Sequence, residues 1–362
     1  METITHVGLD THKESIYVSM LLPGRKEAIE WQLANGPKAA RQLARRIERE
    51  SEGEVRACYE AGPGGYALQR QLAKEGIHCD VVAPSLIPIK PGERIKTDRR
   101  DAKKLAEMLR GGILTTVRAP TETEEAARDL CRCREDAKHD ESQARHRLTK
   151  YLFRNGVFYS DGRAWTHRYW TWLRQVRFAD ATKQAVLEEY MAVVEQREER
   201  VATLEHRIAE LAKVDPYAQP VAHLRCFRGI DTVTAMCLVA ELHDVRRFKS
   251  PRELMAYLGL VPSEHSSANK HHRGAITKAG NGHVRRLLVE SSWAYRQKPA
   301  VGVTLRARRQ GQPAPVIARA DRAMTRLHHR YWQMTLRGKP HNKAVIAVAR
   351  ELVGFIWATL VS

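Results

Sequence analysis

The first 110 residues alternate short strand patterns with helical ones, and this order limits the possible fold more than any other feature of the chain. Strands are predicted at residues 6–10, 15–21, 28–33, 55–59 and 79–83. Helices are predicted at residues 37–50 and 66–74, and in a segment that continues through Leu105 and Leu109. Because short turns join the first three strands and helices join the later ones, the order predicts a mixed α/β sheet.

The remainder of the chain is predicted to be mainly helical. A capping box, Thr121-x-x-Glu124, directly follows Pro120 and opens a long basic helical segment. Apolar residues then recur with 3–4 spacing at Val194, Val201, Leu204, Ile208 and Leu211. This spacing indicates a coiled-coil seam, which either links domains or protomers or packs within one chain. We therefore expect an α/β domain at residues 1–118, a helical and coiled-coil linker at 119–215 and a mainly α domain at 216–362.

Positive charge is concentrated in the last third of the chain. The 61 Lys and Arg residues exceed the 42 Asp and Glu residues, giving a formal net charge of +19. Between residues 268 and 350 there are 18 basic residues and only two acidic ones, Glu290 and Asp321. A solvated surface usually mixes both signs, so this stretch favours a polyanionic partner such as nucleic acid.

The sequence favours a cytoplasmic protein, because no signal-peptide pattern precedes the strand-like start. Cys131 and Cys133 lack the second ligand cluster that a zinc site needs, so no structural zinc is expected. The apolar run at residues 344–361 is interrupted by Arg350 and Glu351, which predicts a packed terminal helix and no membrane association.

Four acidic residues stand where predicted elements begin or end. Asp10 ends the first strand, Glu60 follows the fourth, and Asp98 and Asp101 share one face at the start of the helix after the fifth. Two divalent ions about 3.5 to 4 Å apart need several negative ligands from different elements, so the four residues form a candidate metal site. The alternatives are structural: Asp98 caps the helix with Asp101 in its first turn, and Glu60 is a solvated loop acid.

A second informative stretch, residues 258–286, combines Gly and Ser with basic side chains. Arg273, Lys278, Arg285 and Arg286 are suited to neutralise phosphates. A serine hydroxyl in the stretch would attack a phosphodiester if metal or basic groups activated it. The residues alone leave both a phosphate-binding loop and a nucleophilic serine open.

Several segments, in this order along the chain, resemble those of the IS110 family of insertion-sequence transposases, which has an IS1111 subgroup. Three of them resemble the DEDD motifs of its RuvC-like domain: Val7-Gly8-Leu9-Asp10-Thr11-His12-Lys13, Tyr59-Glu60-Ala61-Gly62 and Lys96-Thr97-Asp98-Arg99-Arg100-Asp101-Ala102. The stretch from Leu258-Gly259-Leu260-Val261-Pro262 to Lys278-Ala279-Gly280-Asn281 is similar to the family's C-terminal transposase domain. The chain departs from the family at Ala268, where Gly is frequent, and in residues 227–235, which lack a Pro and a second Gly.

The resemblance implies an α/β ribonuclease-H-like (RuvC-like) N-terminal domain, a helical coiled-coil linker and a mainly α C-terminal domain. It implies that the four acidic residues are catalytic and bind two Mg²⁺ ions, and that Ser267, five residues after Pro262, is the nucleophile. Neighbouring Ser266 offers a competing hydroxyl. Lys13 and the four basic residues of the second stretch are the candidate nucleic-acid contacts.

The resemblance also implies DNA as substrate, a structured non-coding bridge RNA as guide, and a homo-oligomer, either dimer or tetramer. The expected activity is DNA strand exchange through a transient phosphoserine. Two rival functions stay open on the residues alone. One is a RuvC-like metal-dependent junction nuclease that uses only the four acids, and the other is a non-enzymatic nucleic-acid-binding protein.

Overall fold

The computed structural model describes residues 3–88, 97–264 and 272–362, and the chain divides into two compact units, Met1–Thr121 and Glu122–Ser362. The first unit is built on one sheet. Its elements are β1 (Ile4–Thr11), β2 (Ser15–Leu21), β3 (Ile29–Ala34), α1 (Ala39–Glu50), β4 (Glu54–Glu60), α2 (Ala67–Lys74), β5 (His78–Val82), α3 (Asp98–Arg110) and β6 (Thr116–Val117). The strand order is β3-β2-β1-β4-β5-β6.

The predicted mixed α/β sheet is confirmed. β1 pairs antiparallel with β2 and parallel with β4, and β4 pairs parallel with β5. Short turns join the antiparallel pairs β1–β2 and β2–β3, and each parallel connection contains a helix, α1 or α2. The antiparallel pair β5–β6 is joined through α3. The two-residue strand β6 was not predicted, since two residues are too few to show a period of alternation.

Alternation along the strands gives the sheet two different faces. Val7 and Leu9 of β1 lie on one face and pack in a core with Leu43 and Ile47 of α1 and Leu72 of α2. On the opposite face Cys58 and Val82 pack against Leu105 of α3. The first face borders the larger apolar core. On the second face, α3 packs across the strands that end at the candidate site.

The second unit is mainly helical. Its elements are α4 (Glu122–Arg154), α5 (His167–Leu173), α6 (Ala181–Leu211), α7 (Ala218–Leu224), α8 (Thr232–Leu242), α9 (Pro251–Tyr257), β7 (Pro262–Glu264), β8 (Arg273–Ile276), α10 (Gly282–Ser292), α11 (Val303–Arg309), α12 (Ala314–Leu336) and α13 (His341–Leu360). α4 begins directly after Thr121, the first residue of the predicted capping box. Among the described residues, no helix combines the length and apolar character that crossing a membrane requires.

The long helices α4 and α6 run antiparallel beside each other. The Tyr151 hydroxyl near the end of α4 donates to the Lys183 carbonyl near the start of α6, at 2.7 Å. Val201 and Leu204 of the predicted seam are buried against Ala137 of α4. The apolar seam of α6 therefore packs against a helix of the same chain.

A buried carboxylate joins three helices of the second unit. The Glu241 side chain on α8 is 1% exposed and accepts two hydrogen bonds from the Arg132 guanidinium on α4, at 2.7 and 3.1 Å. The side-chain amide of Asn281, which caps α10, donates a third at 2.7 Å. Burial acts to raise the pKa of Glu241, but these bonds and the charge of Arg132 outweigh it and lower the pKa. The ionised carboxylate therefore holds α4, α8 and α10 together.

Candidate active site at the carboxyl edge of the sheet

Two of the predicted acids are placed side by side by strand pairing. In the parallel β1–β4 ladder, Leu9 lies opposite Tyr59, so the next residues, Asp10 and Glu60, stand at the same edge of the sheet. Side chains alternate along a strand, so both point to the face that α3 covers. The carboxyl edge of the central strands therefore presents two carboxylates on one face.

The absence of a side chain at Gly8 lets α3 approach this face closely. A Cβ atom at Gly8 would lie 2.1 Å from the Ala102 carbonyl oxygen and 2.5 Å from the Ala106 nitrogen. The backbone of α3 therefore rests directly on β1, two residues before Asp10. This contact places the first turn of α3, which contains Asp98 and Asp101, at the end of β1.

The helix cap of α3 is Thr97, whose hydroxyl accepts a hydrogen bond from the Arg100 amide at 3.4 Å. Asp98 is the first residue of the helix, so the alternative in which its carboxylate is the cap is wrong. Asp98 and Asp101 occupy the first turn, where the helix dipole favours negative charge. With the cap supplied by Thr97, the Asp98 carboxylate is directed to another interaction.

That interaction is with His12, which lies between two carboxylates. The His12 Nε2 atom is 3.1 Å from Asp10 Oδ2 and 3.5 Å from Asp98 Oδ1. One ligand atom from each of the three residues lies within 4.8 Å of the others. The Asp10 side chain is 18% exposed, while those of Asp98 and His12 are about half exposed. The site is thus accessible from one side.

The electrostatics of the site centre on Asp10. Burial raises the pKa of Asp10, and the negative charges of Asp98 and Asp101 raise it further, whereas the nearby His12 lowers it. The charge of Glu60 acts on Cys58, whose pKa is raised to about 12 mainly by burial, with Asp80 also contributing. Carboxylates that destabilise each other's ionised form are a setting in which a bound cation lowers the free energy.

The structure brings the predicted acids together to different degrees. Asp10 and Asp98 share contact with His12, and Asp101 lies near enough to act on the Asp10 charge. Glu60 is placed by the strand register. Prediction from the sequence missed His12. The signal was its position two residues after Asp10 at the end of a strand, where extended backbone turns both side chains to one side.

The segment with the predicted nucleophile connects the two strands of a small hairpin, β7 and β8. Ser266, Ser267 and Ala268 lie outside the described residues, so the structure does not place them. Two backbone hydrogen bonds join the segments before β7 and after β8. The Thr277 amide donates to the Val261 carbonyl at 2.9 Å, and the Lys278 amide donates to the Gly259 carbonyl at 3.1 Å.

The predicted nucleic-acid contacts have different surroundings. Lys13 and Lys278 are exposed. Arg273 is 68% exposed and lies 3.4 Å from a Glu264 oxygen. Arg285 donates from Nη1 to the Leu258 and Ala279 carbonyls, at 2.9 and 3.0 Å, and Arg286 pairs with Glu135 and Glu290. Arg285 therefore links the segments on the two sides of the hairpin. The charge of Arg286 is compensated by carboxylates of the same chain.

Comparison with known proteins gives matches along nearly the whole chain. Residues 7–154 match a family model described as a DEDD transposase of the IS110 type, and residues 221–303 match the model of the transposase IS116/IS110/IS902 family. The four acids lie in the first range and the serine segment lies in the second. A DEDD transposase domain indicates dependence on a divalent metal, and a transposase acts on DNA.

Individual relatives agree with the family models. The chain is 40% identical to a putative transposase of Sinorhizobium fredii, over 97% of this chain and 87% of the relative. It is 33% identical to the transposase of insertion sequence element IS1533 of Leptospira borgpetersenii, over 91% and 96% of the two chains. The transposase of IS1111A from Coxiella burnetii is 23% identical over 83% of this chain and 76% of its own. With these family models and relatives, the chain belongs to the IS110 family of insertion-sequence transposases.

Proposed function

We propose that this transposase cuts and rejoins DNA strands with a Mg²⁺ site formed by Asp10, Glu60, Asp98 and Asp101 and with Ser267 as nucleophile. The observation that supports the metal site best is the cluster of Asp10, His12 and Asp98, whose ligand atoms lie within 4.8 Å of one another. The proposed overall activity of this chain is the excision and insertion of its own insertion sequence.

The donor set fits a divalent cation. Carboxylate oxygens are the ligands that Mg²⁺ prefers, and they reach it at about 2.0 to 2.1 Å, so ligand atoms around one ion stand about 3 to 4 Å apart. His12 Nε2 has this spacing to Asp10 Oδ2 and to Asp98 Oδ1, at 3.1 and 3.5 Å, and the three ligand atoms all lie within 4.8 Å of one another. His12 Nε2 lies in reach of the same ion as a nitrogen ligand. When bound, Mg²⁺ supplies positive charge that polarises a phosphate and stabilises the leaving oxygen.

The proposed covalent step belongs to Ser267. Its Oγ forms a bond to the scissile phosphorus, and the bond from phosphorus to one sugar oxygen breaks. The proton of the serine hydroxyl goes to a base, and the departing sugar oxygen takes up a proton to become a hydroxyl. A phosphoserine link conserves the energy of the broken phosphodiester. The reverse attack by a sugar hydroxyl of another strand then rejoins DNA and releases serine.

The proposed partners are the DNA of the element ends and target, a structured non-coding RNA and further copies of the chain. An RNA that pairs with both DNAs would read their sequences, which leaves the protein to bind shape and backbone. The concentration of basic residues in the last third of the chain supports such backbone binding. RNA that co-purifies with the full chain tests the guide: sequencing should return one abundant transcript that pairs with both element ends and target.

Cleavage of a plasmid that carries the element junction tests the proposed chemistry. The full chain, supplied with its co-purified RNA, should cut and form a protein–DNA adduct in Mg²⁺ and do neither in EDTA. Asp10→Asn should abolish both reactions. Ser267→Ala should abolish the adduct, whereas the matched variant Ser266→Ala should retain it.

Other outcomes would select the rival functions. Cleavage that persists in Ser267→Ala, with no adduct in the wild-type chain, would identify a metal-dependent nuclease. Tight, salt-sensitive DNA binding with no cleavage in Mg²⁺ would identify a nucleic-acid-binding protein without catalytic activity.

A further inference from the structure

Three arginine residues of the second unit converge on one place. Arg225 directly follows α7, and Arg308 and Arg309 are the last two residues of α11. Burial raises the pKa of the Cys226 thiol, and the charges of all three arginines oppose that rise. The pKa of Arg308 is lowered by burial and then by the charge of Arg225, with a smaller effect from Arg309. Three like charges therefore lie close together in a partly desolvated region.

The chain holds two of these side chains firmly. The Arg309 side chain is 6% exposed, donating from Nε to the Cys226 carbonyl at 3.0 Å and from Nη1 to Asp321 Oδ1 at 2.7 Å. Arg308 donates from Nη1 to the Ile230 carbonyl at 2.7 Å. Arg308 and Arg309 are successive helical residues, whose side chains point about 100° apart, and each is therefore held by different acceptors. Both guanidinium groups are thus held by the chain itself, and Arg308, like Arg225, is only half-buried and can be reached by a ligand.

Several hydrogen-bond donors of the cluster have no acceptor in the part of the chain that the structure describes. They are Arg225 Nε, Arg308 Nε, Arg309 Nη2 and the hydroxyl of Tyr295, all shielded from solvent. Burial raises the pKa of Tyr295, while the charges of Arg228 and Arg309 act to lower it, which places this hydroxyl in the same positive field. Buried donors without acceptors are unfavourable, and several at one place favour a ligand with several acceptor atoms.

Charge compensation at the cluster is incomplete. Asp321 pairs with Arg309, and its side chain is 48% exposed. The charge of Asp231 favours the ionised form of Arg308, but the Asp231 carboxylate also accepts the Thr234 amide as the cap of α8, at 2.8 Å. Two partly exposed or already engaged carboxylates thus face three guanidinium groups. The remaining positive charge favours the binding of an anion.

We propose that Arg225, Arg308 and Arg309 form a binding site for a backbone phosphate of a nucleic acid. A phosphodiester carries one negative charge and two free oxygens, each with more than one acceptor direction, and arginine binds such groups through two parallel bonds. That nucleic acid is the source of the phosphate rests on the proposed function. The anion site itself is inferred from the unpartnered donors. It does not depend on the carboxylates of the proposed metal site or on Ser267.

Inorganic phosphate is the first probe. Thermal unfolding of the full chain is followed at constant ionic strength while phosphate replaces chloride, with EDTA present throughout. The midpoint of the wild-type chain should rise by several degrees, and that of Arg225→Gln or Arg308→Gln should rise much less. Arg306→Gln is the matched control, because it removes an exposed charge from the same helix and should behave like wild type. Equal responses in all variants would overturn the site.

Binding of labelled 20-mer duplexes identifies the source of the phosphate. Anisotropy in EDTA gives the dissociation constant as a function of salt for DNA and RNA of one sequence. Loss of one phosphate contact in Arg308→Gln should reduce the slope of log K against log salt by about one. A reduced slope in Arg308→Gln for DNA alone, for RNA alone or for both identifies which nucleic acid supplies the phosphate. Unchanged slopes on both DNA and RNA would contradict the proposal. So would a variant whose unfolding midpoint is lower without phosphate but rises with phosphate as much as that of wild type.

EDTA separates this result from the chemistry of the carboxylate site. If the proposed function failed, Mg²⁺-dependent cleavage would be absent while the phosphate response remained. If the arginine site failed, the phosphate response would be absent while cleavage by the wild-type chain remained.

Discussion

Replacement of Gly8 by alanine tests whether the contact between β1 and α3 sets the geometry of the carboxylate site. Gly8 is buried in β1, and the added methyl would lie 2.1 Å from a backbone carbonyl oxygen of α3. This is about 1.3 Å short of the 3.4 Å at which ordinary contact begins. The obstructing atoms belong to the helix backbone, so no side-chain rotation relieves the clash.

Two effects of the substitution oppose each other, and the clash dominates. Alanine loses less backbone entropy on folding than glycine, which favours the variant by about 0.5 to 1 kcal/mol. Overpacking of a filled contact costs about 1 to 3 kcal/mol, and here the helix itself must shift. We expect a net loss of about 1 to 2 kcal/mol in the free energy of unfolding.

The consequence for the site should exceed the consequence for stability. A shift of α3 by roughly 1 Å moves Asp98 and Asp101 away from Asp10, and displacements of this size reduce catalysis by about 100-fold. Metal affinity should fall by about 10- to 100-fold, as when groups that orient ligands are altered. Urea unfolding measures the stability, and calorimetric titration of the folded chain with Mn²⁺ measures the affinity.

Gly36→Ala is the matched control, because a Cβ atom at Gly36 would meet nothing within 4 Å. It should leave stability and Mn²⁺ affinity close to wild type. Wild-type stability and affinity in Gly8→Ala would refute the reasoning, since they would mean that α3 does not rest on Gly8. Lower stability with unchanged affinity would refute the link from this contact to the site.

Three further predictions concern charged groups. Because burial raises the pKa of Asp10, the native state binds more protons than the unfolded state above the ordinary pKa of 3.8, and the Asp10 contribution to stability falls as pH rises through this range. Asp10→Asn should therefore be more stable than wild type at neutral pH in EDTA, and an equal or lower urea midpoint would contradict this. Mg²⁺ should raise the melting temperature of wild type but not of Asp10→Asn, and an equal rise in both would place the ion elsewhere. Glu241→Gln should cost about 1 to 3 kcal/mol in urea unfolding, because it leaves Arg132 without its buried ionic partner; a smaller loss than in an exposed control, Glu210→Gln, would contradict that role.

Much of the first unit was predictable because its signals are local. The periodicity of apolar side chains, two for strands and 3.6 for helices, predicted the first five strands and the helices α1 and α2 to within two residues of their observed bounds. The positions of Asp10 and Glu60 at strand ends then predicted their common edge, since parallel neighbours end together. His12 was missed, because its position two residues after Asp10 does not by itself show that Asp98 lies beside it, which depends on how closely α3 approaches β1.

By itself, the sequence determined the order of strands and helices, the placement of acids at element ends and the excess of positive charge in the last third. These properties depend on hydrophobic periodicity and on composition, which act over a few residues or over the whole chain. The structure settled the local choice that Thr97, and not Asp98, caps α3, and only the tertiary structure placed α3 on Gly8. It alone brought Arg225 to Arg308 and Arg309, more than 80 residues away in the sequence. Such meetings depend on packing between distant segments, which no local pattern of residues encodes.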